Sequence, residues 1–381
     1  MPSVVACLIA LQFAAAAAEG GTEAPSPELR WDGPPTLGVG IKAPVELPNG
    51  DLLAWRSAPV QPEGHVVHCF RSTDQGRTWS YLSDIVSDPE PHADLGDGAF
   101  LVTSAGDVLF SYRRNHRRGR PPERHSYRIE VAVSRDNGAH WSPHSTVAAA
   151  EGAPYGLWSS FLIELRDGEL QCYYDDEVTP AAHGLPRHQW FSMKTWNAEA
   201  EAWQDPVTVS RAHNPEHLSR DGMGTVVELP DGELLCVMES VQTEERHAGL
   251  VLSVRSRDRG RTWSWSERER DVVYEPEDTR YNALAPWMIP LDDGRLLVVF
   301  TTDEDREEFG IASTGVLYQD LRYIVSDDGG RTWSAPRIVS ADYPIYFPGV
   351  CQLRTGPAKG DVLIQYLHQH RGFFFQRGRF E

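Results

Sequence analysis

Residues 326–334 read SDDGGRTWS, and the chain contains three near-copies of this stretch: STDQGRTWS from residue 72, SRDNGAHWS from residue 134 and SRDRGRTWS from residue 256. Each copy has an Asp, a Gly and a Trp at fixed offsets. An Asp hydrogen-bonds backbone groups within a turn, a Gly permits the chain to reverse, and a Trp anchors the turn on the following strand. The stretch is therefore typical of a turn that a repeated fold uses several times.

The spacing of the copies indicates a regular internal repeat, which is a signature of propellers and other repeat architectures. The gap from Trp141 to Trp263 is close to twice the gap from Trp79 to Trp141, and Trp333 follows after about one further repeat. A degenerate copy fills the long gap, because TWNAEAEAW ends at Trp203, almost midway between Trp141 and Trp263. The repeat is therefore present five times, four times complete and once degenerate.

A second repeat consists of apolar runs joined through a glycine-centred turn, as in VELPDGELLCVM. Its six turn glycines recur at nearly even intervals that match the first repeat, namely Gly50, Gly106, Gly168, Gly232, Gly294 and Gly360. Each segment is typical of a β-hairpin, because Gly accepts a positive φ at no steric cost. The sequence therefore contains six hairpins alongside five complete or degenerate turns of the first kind.

These repeats predict an all-β, six-bladed β-propeller with four antiparallel strands per blade, because a unit of roughly 60 residues and four strands is one blade. Ring closure protects the sheet edges that a single blade leaves open. We expect a single domain over residues 25–381. Its last blade is predicted to be shared between the termini, with residues 25–40 completing the sheet that residues 350–380 begin.

Composition excludes some functions. The formal net charge of the 381-residue chain is −19, which argues against nucleic acid as a partner and disfavours a strongly anionic substrate unless a local basic pocket is present. The cysteines are scattered singly without metal-ligand spacing, and the acidic runs at 175–177 and 303–308 lack the spacing of an EF-hand. The sequence therefore predicts neither a metal site nor a cofactor.

The N-terminal segment 1–19 contains an apolar run that ends in small alanines. This pattern predicts a secretory signal peptide and a secreted or periplasmic protein, although the usual basic n-region is missing. No other stretch is apolar enough to predict a membrane span. We expect a monomer.

The repeated pattern S-x-D-x-G-x-T-W resembles the Asp-box of sialidases and their relatives. Four copies at this regular spacing are similar to the six-bladed sialidase-like propeller. In that superfamily the boxes lie in the turn between the third and fourth strands, away from the substrate face. The resemblance thus implies that the box aspartates are structural and that the chemistry lies at the opposite ends of the strands.

Two zones of each repeat are predicted to reach the ligand face, one before the first strand and one after the second. They contain carboxylates, arginines and aromatic residues that suit carbohydrate chemistry, because aromatic rings stack on sugars and two carboxyl groups act across a glycosidic bond. The candidates are Asp94, Arg113, Arg114, Trp158, Asp175, Asp176, Glu177, Arg220, Asp221, Glu239, Asp303, Tyr346 and His368.

The chain departs from the sialidase pattern at one expected arginine. Sialidases hold the sialic acid carboxylate with three arginines, the first in an R-I-P segment, whereas the corresponding stretch here is IKAP with Lys42. A lysine does not reproduce the planar two-pronged grip of a guanidinium. The sialidase pattern also has a Glu shortly before the strand of a later blade. The corresponding stretch here, SRDGMG, offers no carboxylate except Asp221. An exo-sialidase is kept as an alternative.

A second resemblance, to glycoside hydrolase family 93, involves the segments GLWSSFLIELRDGELQCYYDDE, SRDGMGTVVELPDGELLCVMES and YFPG. That family consists of exo-α-1,5-arabinanases with the same propeller, which retain anomeric configuration and need no metal. The resemblance implies that Glu239 is the nucleophile and places Ser159 where the acid/base Glu of the family lies.

Ser159 leaves the general acid unassigned, because a serine hydroxyl is too weakly acidic to protonate a leaving group. A retaining enzyme needs this acid about 5–5.5 Å from the nucleophile. Either another carboxyl supplies it, or the mechanism differs, or only carbohydrate binding is kept. The candidates for a replacement acid are Asp94, Asp175, Asp176 and Glu177.

The leading prediction is an exported glycoside hydrolase that acts on the ends of a polysaccharide or glycan side chain. Its expected catalytic residues are Glu239, Asp94 and Tyr346, and its expected substrate contacts are Trp158, Ser159, Arg113, Arg220, Asp221, Asp175 and Glu177. A non-catalytic carbohydrate-binding propeller is the alternative that Ser159 favours. The basic run 113–125 is either a solvated loop or a rim loop that binds a uronic acid.

Overall fold

The computed structural model describes residues 28–61, 63–241, 249–278, 281–304 and 319–381. The predicted signal peptide, residues 1–19, lies outside the described residues. No helix within the described ranges is long and apolar enough to cross a membrane.

Six antiparallel sheets confirm the predicted six-bladed β-propeller. Blade 1 consists of β3 (Val45–Glu46), β4 (Leu52–Pro59), β5 (His65–Ser72) and β6 (Ser80–Asp88). Blade 2 consists of β7 (Asp94–Val102), β8 (Val108–His116), β9 (Ser126–Ser134) and β10 (Ser142–Glu151). Blade 3 consists of β11 (Leu157–Glu164), β12 (Leu170–Asp176), β13 (Trp190–Asn197), β14 (Ala202–Trp203) and β15 (Val207–Ser210).

The second half of the ring repeats the same arrangement. Blade 4 consists of β16 (Arg220–Glu228), β17 (Leu234–Val241), β18 (Gly249–Ser256) and β19 (Asp271–Tyr274). Blade 5 consists of β20 (Ala283–Pro290), β21 (Leu296–Thr302), β22 (Asp320–Ser326) and β23 (Arg337–Ser340). Blade 6 consists of β24 (Ile345–Gln352), β25 (Val362–His368), β26 (Gly372–Phe380), β1 (Leu29–Trp31) and β2 (Thr36–Leu37). One short α-helix, α1 (Val178–Ala182), follows β12.

Blade 6 closes the ring with the N-terminal strand, as the sequence predicted. β1 pairs antiparallel with β26, and Leu29 lies opposite Phe380. The Leu29 N–H also donates a hydrogen bond of 2.9 Å to the Tyr323 hydroxyl of blade 5. Blades 3 and 6 each add a fifth short strand to the predicted four, since β14 and β15 both pair with β13, and β1 and β2 both pair with β26.

The core lies between neighbouring blades, which explains why the second strands read as nearly continuous apolar runs. Every residue of β21 is buried. Successive side chains of a strand point to opposite faces, and both faces of a blade are covered. Leu297 accordingly packs in the cluster shared with blade 6, whereas Val298 packs in the cluster shared with blade 4.

The repeated S-x-D-x-G-x-T-W stretch forms the turn between the third and fourth strands, as the resemblance implied. In the copy between β22 and β23, the Asp328 carboxylate accepts hydrogen bonds from the Thr332 N–H (3.0 Å), the Thr332 hydroxyl (2.6 Å) and the Ser326 hydroxyl (2.8 Å). The Ser326 hydroxyl accepts the Gly330 N–H at 2.8 Å. Burial opposes the ionisation of Asp328, but these donors lower its pKa to about 2.

The degenerate copy keeps its tryptophan but changes the partner of that side chain. In a complete copy the Trp263 indole donates to the carbonyl of Gly260 in its own turn at 3.0 Å. The Trp203 indole instead donates to the Ser145 hydroxyl of blade 2 at 2.9 Å. The tryptophan therefore still fixes the outer edge of blade 3 without the Asp and Gly of the turn.

The role of the turn is tested by replacing Asp328 with Ala. The carboxylate also accepts the Arg331 N–H at 2.9 Å, and the loss of four hydrogen bonds is expected to lower the free energy of unfolding by roughly 1–3 kcal/mol. The exposed neighbour Asp327 provides a matched control, and Asp327→Ala is expected to change stability by less than about 0.5 kcal/mol. Equal midpoints of thermal unfolding for the two variants would contradict a structural role for the box aspartate.

Candidate active site

The first strand of most blades contains a β-bulge at the point where it enters the central channel. The strand pairing shifts at equivalent places in β7, β11, β16, β20 and β24. Four bulge residues have positive φ angles of 47–54°, namely Asp97, Met223, Ala285 and Phe347, and Lys42 of blade 1 has φ 57°. Non-glycine residues rarely adopt this conformation, and clusters of them concentrate at functional sites.

Two of these bulges bind carboxylates from the preceding blade. The Met223 N–H donates to Asp175 Oδ1 at 3.0 Å, and the Ala285 N–H donates to Glu239 Oε2 at 2.6 Å. Asp175 and Glu239 each lie seven residues after the hairpin glycine of their blade. Neighbouring blades thus hold two carboxyl groups by the same contact at the same place.

Both carboxyl groups have raised pKa values. Burial, together with the negative charge of Asp97, raises the pKa of Asp175 well above its usual range, and the charge of Glu239 adds to this effect. Burial raises the pKa of Glu239 to about 7, against the opposing N–H of Ala285. Carboxyl groups with pKa values raised in this way, and with charges that act on one another, are typical of an acid/base site.

A buried ionic cluster lies next to this pair. Lys42 is 3% exposed, and its Nζ lies 2.8 Å from Asp97 Oδ1 and 2.8 Å from Ser159 Oγ. Asp97 Oδ2 also accepts from Arg113 Nη1 at 2.6 Å. Burial opposes the ionisation of Asp97, but Lys42 and Arg113 hold its pKa well below the usual range. Asp97 is therefore the ionised carboxylate of the site.

The channel is almost filled at the level of Ser159. A cavity of about 10 Å³ is left there, which is room for a single water molecule. Its lining includes Lys42, Ser159, Met223, Ala285 and Trp287. Residues from several blades, including the bulge residues Met223 and Ala285, therefore converge on one narrow cavity.

The structure separates the candidates for the general acid. Asp94 is ion-paired with Arg113 at 3.0 Å. Asp176 accepts the Val178 and Thr179 N–H groups at 2.8 and 2.9 Å and so caps α1. Asp175 instead accepts a bulge N–H and has a raised pKa.

Glu177 and Arg220 form part of the wall of the pocket. Glu177 Oε1 accepts from Arg220 Nη2 at 2.6 Å, and its other oxygen accepts the Gly156 N–H at 2.9 Å. The charge of Arg220 acts to lower the pKa of Glu239, so the pair lies close to that carboxyl group. Both residues were expected to contact substrate.

Asp221 lies in a different environment from the other predicted contacts. It is fully buried, and its carboxylate accepts from Arg270 Nη1 at 2.6 Å and from the Ser210 and Ser240 hydroxyls at 2.5 and 2.7 Å. These donors occupy the carboxylate inside blade 4. The geometry thus favours a structural role over the predicted substrate contact.

Trp158 is half-buried and stands beside the ionic cluster. The guanidinium of Arg113 lies 5.8 Å from its ring centroid and that of Arg117 lies 5.0 Å away. Tyr127 meets the same ring edge-on at 5.8 Å. The predicted contact residue is therefore part of a wall that also carries cations.

Tyr346 precedes the bulge of blade 6, and its ring centroid is 6.2 Å from that of Phe347. The Phe347 carbonyl accepts the Lys42 N–H at 3.0 Å, which joins blade 6 to the ionic cluster. Asp303 and His368, two weaker candidates, are buried and engaged with Asn282 and Asp342. Arg114 is ion-paired with Asp88 and Glu130.

The described residues contain no group of three or more His, Cys, Asp or Glu side chains arranged to hold a metal ion. The described cysteines Cys69, Cys172, Cys236 and Cys351 are free thiols. Burial raises the pKa of Cys69 to about 12, so this thiol is not a nucleophile at neutral pH.

Comparison with known proteins gives the fold a name. The family model of the BNR/Asp-box repeat matches residues 324–335. The α-L-arabinofuranosidase of Fusarium graminearum solved with arabinobiose is 20% identical, with a TM-score of 0.62, and the match covers 93% of this chain and 97% of that one. The fold is that of a sialidase-like six-bladed propeller.

Two further solved structures share this propeller. The α-L-arabinanase of Penicillium chrysogenum, solved with arabinobiose, is 20% identical with a TM-score of 0.57, over 88% of this chain and 91% of that one. The Hadza microbial sialidase Hz136 is 19% identical with a TM-score of 0.61, over 89% of this chain and 65% of that one.

Sequence reasoning missed three residues that build the site of this propeller. Asp97, Met223 and Ala285 each lie nine residues before the hairpin glycine of their blade, the same offset as Ser159. The offset was available in the sequence. A positive φ at non-glycine residues was not, because a bulge depends on pairing between strands.

The raised pKa of Glu239 predicts a pH-dependent cost in stability. The unfolded carboxyl ionises near pH 4.5 and the folded one near pH 7, so the folded state loses stability as the pH rises through this interval. Glu239→Gln removes this cost. The variant is expected to be more stable than the parent at pH 8, by an amount on the order of 3 kcal/mol, and similar to it at pH 4.

Glu233 provides a control of opposite sign in the same blade. Although burial opposes its ionisation, Arg257 and Arg255 lower the pKa of Glu233, so its charge stabilises the fold above pH 5. Glu233→Gln is therefore expected to destabilise the protein at pH 8 and to matter less in acid. Denaturant unfolding at several pH values measures both differences. A Glu239→Gln variant less stable than the parent at pH 8 would contradict the raised pKa.

Proposed function

We propose that this propeller is an exported glycoside hydrolase that removes sugars from the ends of a polysaccharide or glycan side chain with retention of configuration. Glu239 is the nucleophile and Asp175 is the general acid/base. The observation that carries the proposal is the pair of buried carboxyl groups held by equivalent bulge N–H donors on adjacent blades, both with raised pKa values. The arabinofuranosidase and sialidase neighbours support the same class of reaction.

Asp175 fits the role that Ser159 cannot fill. A general acid must carry a proton at the working pH, which requires a raised pKa. Asp175 accepts one backbone N–H, and burial raises its pKa well above the usual range of an aspartate. Asp94, the acid first expected from the sequence, is ion-paired with Arg113, and such a pairing favours the ionised form of a carboxyl group.

The two carboxyl groups have different roles in the proposed reaction. Ionised Glu239 attacks the anomeric carbon while the Asp175 proton passes to the leaving glycosidic oxygen, so a glycosyl–Glu239 ester forms and the glycosidic bond breaks. Ionised Asp175 then takes a proton from water, whose oxygen attacks the anomeric carbon and releases Glu239. Asp97 stays ionised with Lys42 throughout, and its field keeps Asp175 protonated between cycles.

The narrow cavity at Ser159 supports action at chain ends. It has room for one water molecule, so in this proposal a glycan does not pass through the ring at Ser159. A terminal sugar enters from the open end and meets Trp158 and the Glu177–Arg220 pair on the wall. In this proposal Tyr346 lies on the blade 6 side of the pocket and orients the sugar or the nucleophile.

Aryl glycosides distinguish the roles of the two carboxyl groups. Glu239→Gln is expected to lose at least about 10³-fold in kcat on every substrate, because no nucleophile is left. Asp175→Asn is expected to lose about 10²-fold or more on natural glycans but much less on aryl glycosides, whose leaving groups need no proton. A panel of aryl glycosides beginning with the α-L-arabinofuranoside measures both effects.

Asp94→Asn is the matched control for Asp175→Asn. Its carboxylate is already paired with Arg113, so the variant is expected to keep the aryl-to-natural substrate ratio of the parent. The assignment of Asp175 fails if Asp94→Asn shows the leaving-group dependence and Asp175→Asn does not. Unchanged turnover of Glu239→Gln would remove the proposed nucleophile.

The pH profile follows from the same carboxyl groups. The value of kcat/KM is expected to rise as Glu239 ionises near pH 7, and to fall at higher pH as Asp175 loses its proton. Asp175→Asn is expected to remove the alkaline fall on aryl glycosides while leaving the acidic rise. Initial rates measured between pH 5 and 10 test this, and a profile that is flat between pH 6 and 8 would contradict it.

A non-catalytic carbohydrate-binding propeller is the second candidate function, favoured by Ser159. This serine is 3% exposed and accepts from Lys42, so no acid stands at the family position. Glycan binding in calorimetry without product release over long incubation is the result expected of a binding protein. The sialidase alternative has less support, because Lys42 is engaged by Asp97 and is not free to hold a sialic acid carboxylate.

A further inference from the structure

The basic run that follows β8 contains guanidinium groups that lack an acidic partner. Four arginines in and around this run are matched: Arg113 with Asp94 and Asp97, Arg114 with Asp88 and Glu130, Arg120 with Glu90, and Arg128 with Glu151. Within the described parts of the chain, Arg117, Arg118 and Arg124 form no ion pair. The local charge of this run is therefore only partly compensated.

Arg117 is held in place although it is unpaired. Its guanidinium lies 5.0 Å from the ring centroid of Trp158, within the range of a cation–π interaction. Its Nε is buried and has no hydrogen-bond partner among the described residues. A buried donor without an acceptor calls for an explanation, and a guanidinium fixed on an aromatic ring is pre-organised to receive an anion.

Arg117 stands on the wall of the proposed active site. The Trp158 ring that Arg117 contacts also lies 5.8 Å from the guanidinium of Arg113, and Arg113 Nη1 donates to Asp97 Oδ2 of the ionic cluster at 2.6 Å. Burial raises the pKa of Tyr127, and Arg117 and Glu177 act on it in opposite directions, so both charges lie near the same ring. Glu177 itself is neutralised by Arg220 at 2.6 Å. Arg117 is thus the uncompensated cation of this wall.

We propose that Arg117, held over Trp158, binds the carboxylate of an acidic sugar, and that the ligand is a glycan carrying a uronic acid. This inference rests on the proposed function for the identity of the site and adds the substrate class. A guanidinium presents two parallel N–H donors that match a carboxylate. The exposed Arg118 next to it adds positive charge to the same loop, which locally offsets the repulsion between an anion and a chain of net charge −19.

Calorimetry with simple sugars tests the subsite without requiring turnover. The probes are D-glucuronate and D-galacturonate, compared with D-glucose and D-galactose, on the parent protein. We expect uronates to bind more tightly than the neutral sugars, with an affinity that falls as salt is added. Arg117→Gln is expected to weaken uronate binding by at least about tenfold, the usual effect of losing hydrogen bonds to a charged group.

Two further variants sharpen this test. Arg120→Gln is the matched control, because Arg120 lies in the same loop and is paired with Glu90; it is expected to bind uronates like the parent. Arg117→Lys keeps the charge but loses the two parallel N–H donors of the guanidinium. Its affinity for uronates is expected to lie between those of the parent and Arg117→Gln. Thermal unfolding of each variant verifies that the fold is intact.

Several outcomes would overturn the proposal. These are equal uronate affinity for the parent and a folded Arg117→Gln, no preference of the parent for uronates over neutral sugars, and a preference for glucose 6-sulfate over glucuronate. The outcome for the hydrolase is separate. Uronate binding that depends on Arg117, without turnover of any glycoside, would contradict the proposed hydrolase but support the uronate subsite. Turnover of neutral glycosides by a parent protein that binds uronates no more tightly than neutral sugars supports the enzyme but rules out the uronate subsite.

Discussion

The antiparallel pairing of β1 with β26 is the contact on which the rest of the structure depends. It joins Leu29–Trp31 to Gly378–Phe380, the two ends of the described chain, within one sheet. Each blade buries its faces only against its neighbours, so an unclosed ring would expose the apolar faces of two blades and the edge of blade 6. In the channel itself, blade 1 meets blade 6 where the Lys42 N–H donates to the Phe347 carbonyl at 3.0 Å.

A closed ring of similar blades places equivalent residues at equivalent points around the channel. The position seven residues after the hairpin glycine is Asp175 in blade 3 and Glu239 in blade 4, and the bulge of the next blade donates an N–H to each. Asp97 differs from these two carboxyl groups, because it forms ion pairs with Lys42 and Arg113 and stays ionised. Burial and this one negative charge together raise the pKa of the other two carboxyl groups. Such an arrangement costs stability, which a large and repetitively packed core tolerates.

The sequence by itself determined the ring. The fixed offsets of Asp, Gly and Trp indicated how many turns of this kind the fold contains, and the six hairpin glycines indicated six blades. The short segment before residue 40 was assigned to the closing blade. It also predicted that Glu239, Trp158 and Asp175 lie on the ligand face, because strand ends follow from the hairpin positions. These features are local, and a local pattern that repeats can be recognised from a single sequence.

Only the tertiary structure decided what each of these side chains meets. Asp94, expected as a catalytic residue, faces Arg113, and Asp221, expected at the substrate, lies inside blade 4 with Arg270. Different blades supply the groups that meet at the site. These groups are the bulge N–H donors, the charge of Asp97 and the guanidinium of Arg117, which has no ion pair among the described residues. Burial and pairing between residues far apart in the chain set the pKa of a carboxyl group, and no spacing within one repeat encodes them.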